Sequence, residues 1–225
     1  MRAAVRLALS DLYYHSIRLV PANLAWGIAS LAVGWVAVTV SPVLALLLAP
    51  LLAFPLLAVV RLAGLIVRGH DVVLSDASNV VRRRPGRTLL AGIATEGAVI
   101  VLTANVAIGL MTGAPLGLGL AVLAGWGLLA VALTVLPFWV ILADPERPDI
   151  GVVEAARLAA GLLLVRPGRL IALSIVLAAV LAVATVLMAA VLTVGVAYAA
   201  LLTARTVLPT ADDIAGVAKL AAADG

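Results

Sequence analysis

Long apolar stretches with almost no charge constrain this chain more than any other feature of its sequence. From Thr88 to Ala143 the single charged residue is Glu96, and from Leu170 to Ala204 there is no charged residue at all. An α-helix needs about 20 apolar residues to cross a hydrocarbon layer about 30 Å thick. Since 65% of the residues are hydrophobic and the mean hydropathy is +1.25, the apolar surface exceeds what one soluble core buries. The sequence therefore predicts an all-α, polytopic transmembrane helical bundle.

Uncharged turns divide these stretches into about six predicted spans, arranged as three hairpins. Ser41-Pro42 separates the first span from the second, and Thr112-Gly113-Ala114-Pro115 separates the third from the fourth. The last apolar stretch is long for one span and slightly short for two of average length. We expect a short, tilted hairpin turning near Met188 to Thr193, and a single long helix, giving five spans, is the alternative. The predicted spans are about Val20 to Val40, Val43 to Val67, Thr88 to Met111, Leu116 to Ala143, and two within Leu170 to Ala204.

Arginine clusters between the spans predict the orientation in the membrane. Basic residues concentrate in cytoplasmic segments, so the N-terminus and the two long loops are expected in the cytoplasm. Six spans also place Arg205 and Lys219 on that side, whereas five place them outside, which favours six. The clusters are Arg2, Arg6 and Arg18; Arg68, Arg82, Arg83, Arg84 and Arg87; and Arg147, Arg157, Arg166 and Arg169.

A short basic motif occurs twice and predicts an internal repeat. Arg84-Pro85-Gly86-Arg87 recurs as Arg166-Pro167-Gly168-Arg169, each time between an amphipathic stretch and an apolar hairpin. We call these two motifs the elbows, because proline and glycine end one helix and start another. The alternative is that basic Pro-Gly turns are simply common at membrane boundaries. The elbow arginines Arg84, Arg87, Arg166 and Arg169 are predicted to contact anionic lipid headgroups or a partner.

The repeat also predicts the domain organisation. We expect one transmembrane domain, residues 1-208, built from the approximate units 1-68, 69-147 and 148-208. Each unit consists of a cytoplasmic interfacial amphipathic helix, a basic elbow and a transmembrane hairpin. A short cytoplasmic tail, residues 209-225, follows.

The order of these elements resembles the YesL-like family of bacterial integral membrane proteins, whose function is unassigned. The resemblance covers about residues 5 to 208 and implies a protein of the cytoplasmic membrane. It also implies an association with carbohydrate uptake, because relatives are often encoded beside sugar uptake and glycan-degradation systems, and it supplies no catalytic residues. The matching features are Asp11-Leu12-Tyr13-Tyr14, Arg18, Asn23-Leu24-Ala25-Trp26, the two elbows and Pro137-Phe138-Trp139.

Two charged residues, Arg61 and Glu96, lie well inside predicted spans, where burying a charge is expensive and points to a function. Arg61 precedes Arg68 by about 10 Å of helix, and Glu96 follows Arg87 by about 13 Å. Because these depths are similar on consecutive helices, the sequence predicts an intramembrane ion pair. The alternative is that Arg61 extends to the headgroups and that Glu96 is neutral or satisfied locally.

Three carboxylates lie in one loop, Asp144-Pro145-Glu146-Arg147-Pro148-Asp149. Such a group can in principle bind a divalent ion or perform acid–base chemistry. The favoured interpretation is structural, with Asp149 capping an interfacial helix from about Ile150 to Leu164.

No sequence motif indicates an enzyme, a cofactor or a metal site. The chain has no cysteine, and it lacks a phosphate-binding glycine loop, a zinc signature and a nucleophile elbow. Its basic clusters suit anionic headgroups better than nucleic acid. With the family resemblance, we expect a non-enzymatic accessory or scaffold component of carbohydrate uptake in the bacterial cytoplasmic membrane, with sugar transporter subunits as partners. The alternative is a small membrane transporter with a polar site near Arg61 and Glu96.

The predicted topology can be tested with single cysteines, because the chain has none of its own. Cysteines at Ser41 and Gly113 are expected to react with an impermeant thiol reagent added outside the cell. Cysteines at Ser78, Glu146 and Val217 are expected to stay unlabelled until the membrane is opened. External labelling at Val217 alone would replace six spans by five.

Overall fold

All regular structure in the described residues is helical, which confirms the predicted all-α class. The computed structural model describes residues 1–186 and 191–223, with side chains for 1–183 and 193–216. A 3₁₀ turn, Ala49–Leu52, joins α3 to α4, and a π-helical turn, Val191–Gly195, precedes α10. The helices are α1 (Arg2–Tyr14), α2 (Ser16–Thr39), α3 (Pro42–Leu48), α4 (Ala53–Val67), α5 (Leu74–Arg83), α6 (Pro85–Thr112), α7 (Pro115–Leu142), α8 (Val152–Val165), α9 (Pro167–Val186) and α10 (Val196–Ala223).

Several of these helices are long and apolar enough to cross a membrane. By length and composition five described segments qualify, and the count is up to six if the bent pair α8 and α9 is one span. That pair changes direction by 102° at its break. Most of the turn predicted near Met188 to Thr193 lies outside the described residues. The five segments are Ser16–Thr39, Pro42–Val67, Pro85–Thr112, Pro115–Leu142 and Thr193–Gly216.

Helix boundaries fall at the two uncharged turns that the sequence predicts. Ser41 caps α3 by accepting a hydrogen bond from the Leu44 backbone N–H at 3.4 Å, and Pro42 occupies the first turn. Gly113 ends α6 at φ 62°, a left-handed conformation that glycine adopts without steric cost. A cysteine at Gly113 is strained for this reason, so the neighbouring exposed Ala114 is the better labelling position.

The two elbows share one backbone conformation. Arg84 has φ −145° and ψ 63°, and Arg166 has φ −138° and ψ 59°. In each elbow the following proline opens the next helix. A proline keeps the residue before it out of the helical region and suits the first position of a helix itself, so each elbow breaks one helix and starts another. The repeated sequence thus produces a repeated local structure.

Helix α10 lies at the centre of the bundle. It contacts α1, α2, α4, α7 and α8. Small residues allow this close approach, and Ala197, Ala200, Ala204 and Ala211 are fully buried. The buried Asn23 side chain of α2 accepts a hydrogen bond of 2.7 Å from the Ala197 backbone N–H, which satisfies a donor at the start of α10. The last helix of the chain is therefore its core.

The segment predicted as a cytoplasmic tail continues this central helix. Residues 209–223 are helical, and α10 passes through Pro209 without a break. Thr210 and Ala211 are both buried. The described part of the segment is therefore packed against the bundle over its first residues.

Helices α6 and α7 pack against each other through small residues and leave much apolar surface exposed. A Cβ atom on Gly109 would lie 2.4 Å from the Gly117 carbonyl oxygen and 2.9 Å from the Ala121 Cβ. No real Cβ comes so close, so these glycines set the distance between the two helices. The opposite faces are open, as the exposure of Ile108 and Leu123 shows.

Replacing Gly109 by valine is expected to destabilise the hairpin, because the added side chain forces the two helices apart. Overpacking of this kind costs about 1 to 3 kcal/mol, which is expected to lower the melting temperature of the protein in detergent. Gly119→Val is the matched control, because a Cβ atom there meets no other atom within 4 Å. Equal losses in both variants would mean that helix contact is not the cause.

Candidate functional site at the charged end of the bundle

Arg68 joins three segments of the chain through ion pairs. It follows the last residue of α4, and its Nη2 and Nε atoms contact the two carboxylate oxygens of Asp144 at 2.8 and 3.2 Å. Its Nη1 and Nη2 atoms also contact Asp212 of α10, at 2.6 and 3.0 Å. Paired contacts of this kind are the strong and directional form of the guanidinium–carboxylate interaction. The loop after α7 and helix α10 are thereby both fixed to the end of α4.

Two further side chains complete this group, which we call the Arg68 cluster: Arg68, Asp144, Glu146, Arg147 and Asp212. Arg147 contacts Asp212 at 2.6 Å and Asp144 at 3.6 Å, and Glu146 contacts Arg68 at 3.0 Å. The side chain of Asp144 is completely buried, and that of Arg68 is 12% exposed. The hydrogen bonds to Asp212, and then those to Asp144, raise the pKa of Arg68 above its ordinary value. These contacts therefore favour the charged form of the Arg68 guanidinium group.

The first elbow binds the loop that follows α7. Arg84 forms an ion pair with Asp149, and Arg87 donates to the carbonyl oxygens of Leu142 at 2.7 Å and Pro148 at 3.0 Å. The expectation that Asp149 caps the next helix is wrong, since α8 begins only at Val152 and has no side-chain cap. The acidic loop is thus an acceptor for the first elbow.

The second elbow binds the central helix. Arg166 lies 3.6 Å from Asp213, and Arg169 donates to the Thr210 hydroxyl at 3.2 Å. A matching contact ties the N-terminal helix to the same partner, because Arg205 of α10 lies 2.5 Å from Asp11 of α1. Each arginine of both elbows therefore has an acceptor within the chain.

The structure does not bring Arg61 and Glu96 together. Arg61 donates instead to the carbonyl oxygen of Ala143 at 3.0 Å. Both carboxylate oxygens of Glu96 are shielded from solvent, and neither has a hydrogen-bond partner among the described residues. The described side chains of Arg61 and Glu96 thus do not form the predicted intramembrane ion pair.

A cavity of about 420 Å³ opens beside the Arg68 cluster, between the ends of α4, α5, α6 and α7. Four arginines line it: Arg61, Arg83, Arg84 and Arg87. Four aspartates line it as well: Asp71, Asp76, Asp144 and Asp149. Apolar side chains, including Leu57, Leu65 and Leu142, form the rest of the wall together with polar groups such as Thr88. We call this cavity the arginine pocket.

Among the described residues, no group of three or more His, Cys, Asp or Glu side chains is placed to hold a metal ion. The aspartates of the arginine pocket are distributed around arginines, and Asp144 and Asp149 are already paired with them. The polar chemistry of this end of the bundle is therefore that of arginine and its acceptors.

Sequence reasoning missed Arg68, Arg147 and Asp212 as a connected group. Arg68 lies 144 residues from Asp212, and the local sequence around either residue does not signal the contact. An available signal was that two adjacent acids, Asp212 and Asp213, follow the last predicted span within a few residues, near the membrane boundary where acids need partners.

No family model, no curated protein and no solved structure matches this chain. The resemblance to the YesL-like family therefore stays a prediction from the sequence.

Replacing Arg68 by methionine is expected to destabilise the protein strongly, because it leaves the buried Asp144 without its main partner. Removing one member of a buried pair costs about 3 to 5 kcal/mol, measurable as a large fall in melting temperature in detergent. Arg166→Met is the matched control, since its pair with Asp213 is exposed and worth about 0 to 1 kcal/mol.

A second variant shows whether Arg68→Met destabilises the protein by stranding the charge of Asp144 or by removing side-chain packing. Adding Asp144→Asn to Arg68→Met removes the stranded charge and is expected to recover part of the stability. A double variant that is as unstable as the sum of the two single variants would show that the two side chains act independently.

Proposed function

We propose that this chain is a non-enzymatic accessory or scaffold protein of the bacterial cytoplasmic membrane, associated with carbohydrate uptake. The charged end lies in the cytoplasm in this proposal, in agreement with the positions of the arginine clusters. The observation that carries the scaffold role is the contrast between the two parts of the bundle. At one end, ion pairs join the residues of the Arg68 cluster, whereas α6 and α7 present open apolar faces.

The ion pairs support a static role for the charged end. The Arg68 cluster and the two elbows hold α4, the loop after α7, and α10 in one arrangement, and Asp144 is buried within it. Separating a buried charge such as that of Asp144 from its partners is costly. The end of the bundle that faces the cytoplasm in this proposal therefore suits a rigid platform.

The alternative, a small transporter, loses the feature that motivated it. Transporters place polar groups and broken helices near the middle of the membrane. Arg61 and Glu96 were the candidates, and their side chains do not meet in the structure. The scaffold role is for this reason the better supported of the two.

The hairpin of α6 and α7 is the part best suited to contact a partner within the membrane. Over an apolar stretch of 18 residues, only 6% of the residues of α6 and 11% of those of α7 are buried. The corresponding stretch within Thr193–Gly216, which includes much of α10, is 61% buried. Lipid covers such faces when the protein is alone in the membrane. The transmembrane helices of a partner can take the place of that lipid by packing closely against α6 and α7.

Site-specific photo-crosslinking in native membranes tests the proposal. A photoreactive amino acid at Leu123 of α7 is expected to capture a membrane subunit of a sugar transporter. Ile28 of α2 is the matched control, because it is a similarly exposed apolar residue on another helix. Adducts are identified by mass spectrometry after purification.

Capture of the same sugar transporter subunit at Leu123, and not at Ile28, would support the scaffold role. Lipid adducts alone at both positions, or captured proteins unrelated to sugar uptake, would contradict it.

A further inference from the structure

Arg61 and Arg87 share one feature: each is held by backbone carbonyl oxygens, and neither forms an ion pair with a described carboxylate. Arg61 donates to the carbonyl oxygen of Ala143, and Arg87 donates to those of Leu142 and Pro148. Leu142 and Ala143 are consecutive residues where α7 ends. Two guanidinium groups from different helices are thus held by adjacent carbonyl groups, and both line the arginine pocket.

These bonds leave much of the donor capacity of both side chains unused. A guanidinium group carries five N–H donors and no acceptor. Arg61 uses one donor on a described acceptor, and Arg87 uses two. Neutral carbonyl groups orient the two side chains but do not neutralise their charges. An anion in the pocket would supply both the missing acceptors and the missing negative charge.

The lining carries four arginines and four aspartates, so the pairing among them, rather than a net charge, decides which groups an anion meets. Asp144 is bound to Arg68 and Arg147, which lie outside the lining, and Asp149 is paired with Arg84. Arg61, Arg83 and Arg87 then face Asp71 and Asp76, and Asp76 already accepts a hydrogen bond from the Val73 backbone N–H. Three arginines and two aspartates of the lining thus remain outside these ion pairs.

We propose that the arginine pocket binds a phosphate group, held by the guanidinium groups of Arg61 and Arg87 and reached by Arg83 at the rim. Guanidinium groups match phosphate oxygens in pairs, which makes arginine the preferred residue for this anion. The volume of about 420 Å³ suits a small ligand or a lipid headgroup. The apolar wall at Leu57 and Leu65 admits the hydrocarbon part of either. This binding site goes beyond the scaffold role and does not depend on it.

The test uses the full chain in a detergent without phosphate and two probes, inorganic phosphate and phosphatidic acid. Binding is measured as saturable thermal stabilisation at constant ionic strength, and retained lipid is counted by native mass spectrometry. Wild type is expected to saturate with at least one probe. Arg61→Gln and Arg83→Gln are each expected to weaken that binding about tenfold, because each removes a charged donor.

Arg82→Gln is the matched control, since Arg82 is exposed on the same helix as Arg83 and does not line the pocket. It is expected to bind like wild type. Arg83 makes no hydrogen bond or ion pair with a described residue, so Arg83→Gln keeps the test valid even if Arg61→Gln does not fold.

The two probes distinguish the sources of the phosphate. Saturation with phosphatidic acid alone assigns the pocket to a lipid headgroup, and saturation with inorganic phosphate, alone or as well, assigns it to a soluble phosphate compound. Either result supports the proposal when the Arg83 variant is weakened. Absence of saturable binding to both probes, or equal weakening by Arg82→Gln and Arg83→Gln, would overturn it.

Discussion

The contact of Arg68 with Asp144 and Asp212 is the interaction on which the rest of this bundle depends. Apolar packing alone orients helices poorly in a membrane, because lipid chains are as apolar as the side chains they replace. A buried guanidinium group that pairs with two carboxylates allows few arrangements of the three side chains, because any other arrangement leaves a charge unpaired. It therefore fixes the end of α4, the loop after α7 and helix α10 relative to one another.

The local features of the fold could be predicted because their signals are local. Apolar runs predict the long helices, Ser41 and Gly113 mark the turns, and the Arg-Pro-Gly-Arg motif predicts each elbow from the stereochemistry of the residue before proline. The central position of α10 could not be predicted in this way. It depends on small residues that pack against several helices, and a run of alanines does not indicate its neighbours.

In the candidate site too, local features could be predicted from the sequence and contacts between distant segments could not. The sequence predicts that the elbow arginines contact lipid headgroups or a partner. Their acceptors within the chain lie far away in the sequence, as the 65 residues between Arg84 and Asp149 illustrate. The pairing of Arg61 with Glu96 was inferred from equal depth on consecutive helices. Depth along a helix does not determine the direction of a side chain around its axis, and the side chain of Arg61 is directed to Ala143. The arginine pocket arises from that direction.

The central position of α10 has a consequence for how the protein is made. Synthesis proceeds from the N-terminus, so the ribosome releases the core helix after every helix that surrounds it. Before α10 is made, Arg68 and Arg147 have Asp144 as a partner but lack Asp212. Asp11 of α1 likewise lacks its partner Arg205. The surfaces of α1, α2, α4, α7 and α8 that contact α10 therefore stay uncovered until it is made. The packing of these helices into one bundle is thus complete only once α10 is present.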